Sequence, residues 1–133
     1  MEFSIIISFL SFLIVLTPIV FIHELGHFFA ARKFNVNVEI FSVGFGPSLF
    51  SKIDKYGTRW QFAIIPIGGF VKMQGDFIIK SKSEKADFKI GDFNNAKSWQ
   101  RFLIVLAGPL ANIFLTVFII ASIYLFLGKY EIP

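Results

Sequence analysis

Two stretches of this chain carry no charge over lengths that a lipid bilayer demands. Phe3 to Ile22 is twenty residues long and Phe102 to Leu127 is twenty-six. At ~1.5 Å rise per residue, either one coiled as a helix crosses a ~30 Å hydrocarbon core. Charged residues make up 17% of the chain and hydrophobic residues 55%, with 19 phenylalanines, whereas soluble domains carry about 25% charge. A soluble enzyme is therefore excluded on composition. The first stretch also differs from a secretory signal. It opens on Met1-Glu2 with no basic residue, offers no small-x-small cleavage site, and exceeds the ~7–15 apolar residues of such signals. It is expected to persist as a helix through Ala31 to the basic pair Arg32-Lys33, kinked at Pro18 just before His23.

The charges are unevenly placed. Twelve of thirteen Lys and Arg fall between Arg32 and Arg101, against six acidic residues in the same segment. The positive-inside tendency puts that segment in the cytoplasm and both termini across the membrane. The basic excess needs only anionic lipid headgroups as a partner, and no nucleic acid. There is no cysteine, so a metal in this chain has to be held by histidine and carboxylate.

Between the apolar runs the pattern changes to strands. Val36, Val38 and Ile40 alternate with Asn37 and Glu39 before Gly44-Phe45-Gly46-Pro47 breaks the run. Thr58 to Ile65 and Phe70 to Met73 form a second pair about the turn Pro66-Ile67-Gly68-Gly69. A ribbon this rich in Ile and Phe is expected to dip against the membrane or pack on the helices. The predicted organisation is thus helix 1 over 1–34, a membrane-associated β ribbon over 35–76, an exposed polar loop over 77–97, helix 2 over 98–128, and the start of a further region over 129–133. The fold class is a membrane protein, mainly α, with two antiparallel transmembrane helices joined by a β-containing cytoplasmic loop. Trp99 falls where an interfacial anchor belongs. Gly108 and Asn112, four apart in Ala107-Gly108-Pro109-Leu110-Ala111-Asn112, mark a face that a partner helix can approach closely.

The chain's two histidines stand four residues apart in His23-Glu24-Leu25-Gly26-His27. On a helix that spacing brings both imidazoles to one face, where their nitrogens can take two corners of a tetrahedral Zn2+ site. Glu24 follows one ligand directly and can take the proton of a metal-bound water during attack on a carbonyl, then deliver it to the leaving amine. An ionisable residue in a spanning helix costs about 2.5–3.5 kcal/mol on insertion scales, which favours function over chance. Counting inward from Arg32 places His23 roughly 13 Å deep, and counting from Arg101 places Asn112 at roughly 16 Å. Asn112 can therefore either hydrogen-bond a substrate carbonyl beside the metal or join the two helices by a hydrogen bond. The ribbon likewise can accept an unwound substrate at a free strand edge or simply cover the mouth of the site.

Together these motifs resemble the site-2 protease family of intramembrane zinc metalloproteases, in particular its bacterial sigma-E-regulating branch. The resemblance rests on His23 to His27, Val43-Gly44-Phe45-Gly46-Pro47, Pro66 to Gly75, and Phe93-Asn94-Asn95 leading into Ala107 to Asn112. It implies His23 and His27 as zinc ligands, Glu24 as general base, and the ribbon around Gly68, Gly69 and Phe70 as a substrate-handling loop. It also implies cleavage of membrane-anchored substrates, such as an anti-sigma factor or remnant signal peptides, in the bacterial inner membrane. In that family the third protein ligand is an aspartate in a Leu-Asp-Gly-like motif on a later helix, and nothing here matches it. The sequence is thus expected to be the amino-terminal half of such a protease, binding zinc weakly and cleaving little unless a carboxyl-terminal half supplies that ligand. A non-catalytic two-span interaction module that retains the motif is the alternative; a metal transporter would need a second set of intramembrane ligands, which is missing.

Overall fold

The computed structural model describes residues 2–75 and 90–128. Helix α1 runs from Glu2 to Lys33, strand β1 from Val38 to Ile53, strand β2 from Arg59 to Met73, a single 3-10 turn over Phe93–Asn95, and helix α2 from Ser98 to Leu127. Most of the polar loop expected over 77–97, and the last five residues, lie outside the described residues.

Both helices are long and apolar enough to cross a membrane. The helices continue through Pro18 in α1 and Pro109 in α2. α1 ends in a Schellman motif: the Val36 amide donates to Ala31 O at 2.9 Å and the Asn35 amide to Arg32 O at 3.1 Å, with Asn35 left-handed at φ 59°. Arg32 and Lys33 sit where the last carbonyls favour cations. The start of α2 is held by Gln100, whose Oε1 accepts the Lys97 amide at 2.9 Å.

The helices lie antiparallel, with Phe34 against Trp99 at one end and His23 against Asn112 further along. They approach closely because Gly26 faces Ala107 and Ala111; a Cβ at Gly26 would collide with the Ala107 carbonyl. The run of small residues read as a packing face is thus in contact with the glycine of the histidine motif.

The ribbon is more folded than its breaks in sequence imply. β1 and β2 form one antiparallel two-stranded sheet, yet its register is double. Ile40 to Val43 pair with Lys72 to Gly69, and the same residues pair with Arg59 to Phe62, both numbers rising together; Phe50 to Ile53 then pair back with Phe62 to Arg59. The first stretch of β1 thus lies between two stretches of β2. Folding back this tightly requires left-handed backbone at Gly44 (φ 89°) and Gly68 (φ 93°), and a Cβ on Gly44 would meet the Ile65 carbonyl. Among the described residues, Gly69 to Met73 pair in the ladder on one side only.

The core sits between the inner end of α1 and the first part of the ribbon, around Phe28, Ala31, Val36, Val38, Phe41, Met73 and Ile104. Phe41 stacks on Trp60 at 4.5 Å, and Phe28 meets both rings edge-on. Beside it, Arg32 pairs with Asp54 and reaches the buried Thr58 hydroxyl at 3.1 Å; that hydroxyl donates to Val38 O at 2.7 Å. Asp54 also accepts from Trp60 Nε1 at 3.0 Å and from the Tyr56 and Thr58 amides. Partial burial works against the Asp54 carboxylate, but these hydrogen bonds from Trp60, Arg32 and the two amides outweigh it and hold the group well below the usual carboxylate range. Because the folded value is depressed, its contribution is complete above the unfolded value of ~3.9 and is lost as pH falls below it. We expect Trp60 emission, followed in a Trp99→Phe background, to report loosening of the ribbon hinge from about pH 4 downward. Asp54→Asn should flatten that dependence and cost about 1–2 kcal/mol at neutral pH; an unchanged acid profile would refute the assignment.

Candidate metal centre

The helical spacing of four does what it must: His23 and His27 stand one above the other on α1, rings 4.9 Å apart and steeply inclined at 82°. Their Nε2 atoms converge to 3.2 Å. Two imidazole nitrogens at ~2.0–2.1 Å from one tetrahedral zinc are separated by about 3.3 Å, so the observed pair matches a shared cation. The outer nitrogens are held by α2. His27 Nδ1 lies 2.8 Å from the carbonyl oxygen of Ile104, which can only accept, so His27 carries its proton on Nδ1 and turns the Nε2 lone pair inward. His23 Nδ1 faces Asn112 Nδ2 at 3.2 Å.

Room for a cation exists because residue 108 is glycine. A Cβ there would lie 2.9 Å from His23 Nε2 and closer still to His27 Nε2. The hollow beneath both nitrogens is therefore a cradle that a single methyl group would fill. The donor set, the spacing and the cradle all fit zinc. The sequence marked Gly108 only as a packing position; its place under the imidazoles depends on how α2 is rotated about its axis, which spacing does not reveal. The Ile104 carbonyl could not have been found at all, since every residue carries one.

Glu24, His27, Gly69, Phe70, Val71, Met73, Phe93, Ile104 and Val105 line a cleft of about 340 Å³. Gly69, Phe70, Val71 and Met73, from a stretch paired on one side only, thus lie beside the glutamate and one histidine. Gly69 packs against α1, where a Cβ would meet Val20 and approach Glu24 Cγ at 3.5 Å. Gly68 lies against the Phe45 ring at the fold of the ribbon and is not among the residues lining this cleft. Asn112 lies at the histidine pair's outer edge, against His23. Among the described residues, no third His, Cys, Asp or Glu joins the two histidines. Asp54 is engaged with Arg32, and Asp92 is buried where Gln74 Nε2 donates to it at 2.7 Å; Asp76 and Asp87 lie outside the described residues.

The profile of peptidase family M50 matches residues 11–131. The chain belongs to this family, the site-2 proteases. Among similar M50 relatives is a Rickettsia conorii protein named as a zinc metalloprotease, 45% identical over 128 residues, covering 96% of this chain and 36% of the relative. The regulator of sigma E protease of Haemophilus influenzae is 40% identical over 116 residues, covering 87% of this chain and 26% of its own length. The regulator of sigma-E protease of Salmonella typhimurium is 39% identical over 115 residues, covering 86% and 25% respectively. This M50 chain therefore spans about a quarter to a third of the relatives it matches.

Proposed function

We propose that this chain carries the histidine pair and general base of an intramembrane zinc endopeptidase that cleaves membrane-anchored substrates, with a third protein ligand supplied by a segment outside it. The convergence of two Nε2 atoms over a glycine cradle, beside a glutamate and a strand stretch paired on one side only, carries this reading. The names of the relatives, which specify zinc and protease, support it. Their greater length leaves room for a third ligand.

The apolar outer faces of α1 and α2 are exposed along their length, from Phe3, Phe9 and Phe12 to Phe114, Phe118 and Phe126. We take both as bilayer spans, with the ribbon on the cytoplasmic side of the bacterial inner membrane. The ribbon's far end exposes Leu49, Phe50, Ile53 and Ile64, apolar surface of the kind that rests in lipid.

In this reading His23 and His27 hold the metal, and Glu24 handles the proton. A bound zinc supplies Lewis-acid polarisation of the scissile carbonyl and makes water acidic enough to react near neutral pH. Glu24 accepts the proton of the attacking water and returns it to the departing amine. A helical substrate hides its carbonyls in its own hydrogen bonds, so it has to be unwound first. The free side of Gly69 to Met73 can add an extended segment by main-chain hydrogen bonds, which holds it against Glu24 and His27. Gly69 and Phe70 are then substrate contacts, while Gly68 shapes the turn that presents them.

The test is metal binding by the chain in lipid nanodiscs. One zinc per chain is expected, weakly held with two protein ligands, and abolished by His23→Ala with His27→Ala. Cleavage of a membrane-anchored reporter is expected only with the full-length protease. Zinc uptake indifferent to both histidines, or robust cleavage by these residues alone, would overturn the proposal.

A further inference from the structure

The structure orients Asn112 in a way that a metal-bound His23 cannot keep. Its Nδ2 faces His23 Nδ1 at 3.2 Å, while its Oδ1 is buried without a hydrogen-bond partner. An amide nitrogen can only donate, so His23 Nδ1 is here the acceptor and its proton sits on Nε2. That proton points at His27 Nε2, 3.2 Å away, and His27 in turn donates from Nδ1 to Ile104 O. These contacts form a single directed chain, Asn112 to His23 to His27 to Ile104, with one orphaned acceptor. A cation between the two Nε2 atoms requires the His23 proton to move to Nδ1, where the Asn112 amide nitrogen would oppose it donor to donor.

The geometry points to Asn112 as a positioning residue for the metal: its amide turns over when the cation binds, so that Oδ1 accepts the His23 Nδ1 proton and locks that ring as an Nε2 ligand. The inference rests on the metal reading proposed above. A half-turn about the terminal torsion exchanges Oδ1 and Nδ2 with almost no change in shape, so the packing of α2 against α1 does not resist it. The same turn gives the buried acceptor a partner. Outer partners of this kind set the tautomer and basicity of ligating histidines, and their loss typically costs 10–100-fold in metal affinity. The carbonyl of Ile104 holds His27 permanently; Asn112 holds His23 in either of two states.

Because the chain contains only two histidines, 15N-histidine NMR of the protein in lipid nanodiscs reads each tautomer directly. Without metal, His23 is expected as the Nε2–H form; with Zn2+ it is expected as Nδ1–H with a metal-shifted Nε2. Chelator competition with Zn2+ gives the second measurement. Asn112→Asp retains an acceptor at Nδ1, on the ring edge away from the metal-facing Nε2, and should bind zinc close to the original affinity. Asn112→Leu, of similar size, should lose 10–100-fold. If Asn112 merely tied the helices by donating to His23, aspartate would fail as badly as leucine. Equal losses in the two variants, no loss in either, or an Nε2–H His23 in the zinc-loaded protein would each overturn the assignment. If the unaltered protein takes up zinc no better than His23→Ala with His27→Ala, the metal reading itself fails and takes this one with it. The tautomer measurement needs no variant, so it decides even if Asn112→Leu misfolds.

Discussion

Glu24→Gln in the full-length protease is expected to reduce cleavage by about 10²–10⁴-fold while leaving zinc affinity nearly unchanged. The two side chains have the same shape, so the histidine pair is expected to stay in place. What disappears is a group able to accept a proton: a neutral amide cannot take one from the attacking water or pass one to the leaving nitrogen. The two readouts separate the roles proposed for this short motif. Cleavage of a membrane-anchored reporter in proteoliposomes should collapse, while chelator competition should report the zinc affinity of the unaltered protein. A Glu24→Gln enzyme that cleaves within a few-fold of the original would show that Glu24 is not the base. Loss of zinc from the same variant would show that the carboxylate belongs to the metal site.

Gly108→Ala should be almost as damaging, by a different route. The added methyl occupies the hollow beneath both Nε2 atoms. Either an imidazole is pushed off the shared position or α2 moves away from α1, and the tight contact at Gly26 then opens as well. Overpacking of this sort costs about 1–3 kcal/mol in fold stability. The metal suffers more, since displacing a ligand should exceed the ~10–100-fold penalty of losing an outer partner. Ala107→Gly, one residue earlier, is the control, because it adds no atom to the site. Zinc affinity measured in both variants tests the cradle: a Gly108→Ala protein that binds zinc normally would mean the cation sits elsewhere.

The histidine pair, its neighbouring glutamate and the two long helices could be read from the order of residues because each is local. A spacing of four places two side chains on one helical face whatever surrounds them, and a run of twenty uncharged residues has few alternatives to a bilayer helix. Counting along two antiparallel helices even brings Asn112 near the depth of His23, and the structure has its amide nitrogen 3.2 Å away. The ribbon was less legible. Gly44 to Pro47 and Pro66 to Gly69 read as breaks between short strands, but they serve as folds within two long ones. Pairing Ile40 to Val43 of β1 with two different stretches of β2 is a long-range choice that no local pattern encodes. The anchoring of Asp54 by Arg32, Trp60 and Thr58 was equally hidden, since each partner is an ordinary residue until the chain closes on it.

Sequence alone therefore determined that this chain has two bilayer-length helices and a histidine pair with a glutamate on one of them, because periodicity and hydropathy act over a single turn or a single span. Only the tertiary structure decided which atoms hold those histidines, that a glycine from the other helix leaves the hollow between them, and which stretch of the ribbon lies along the cleft. Those outcomes depend on the rotation of α2 about its axis and on the register of the folded ribbon. Both are set by close packing between segments far apart in the chain, where one methyl group or one residue of slip changes the result.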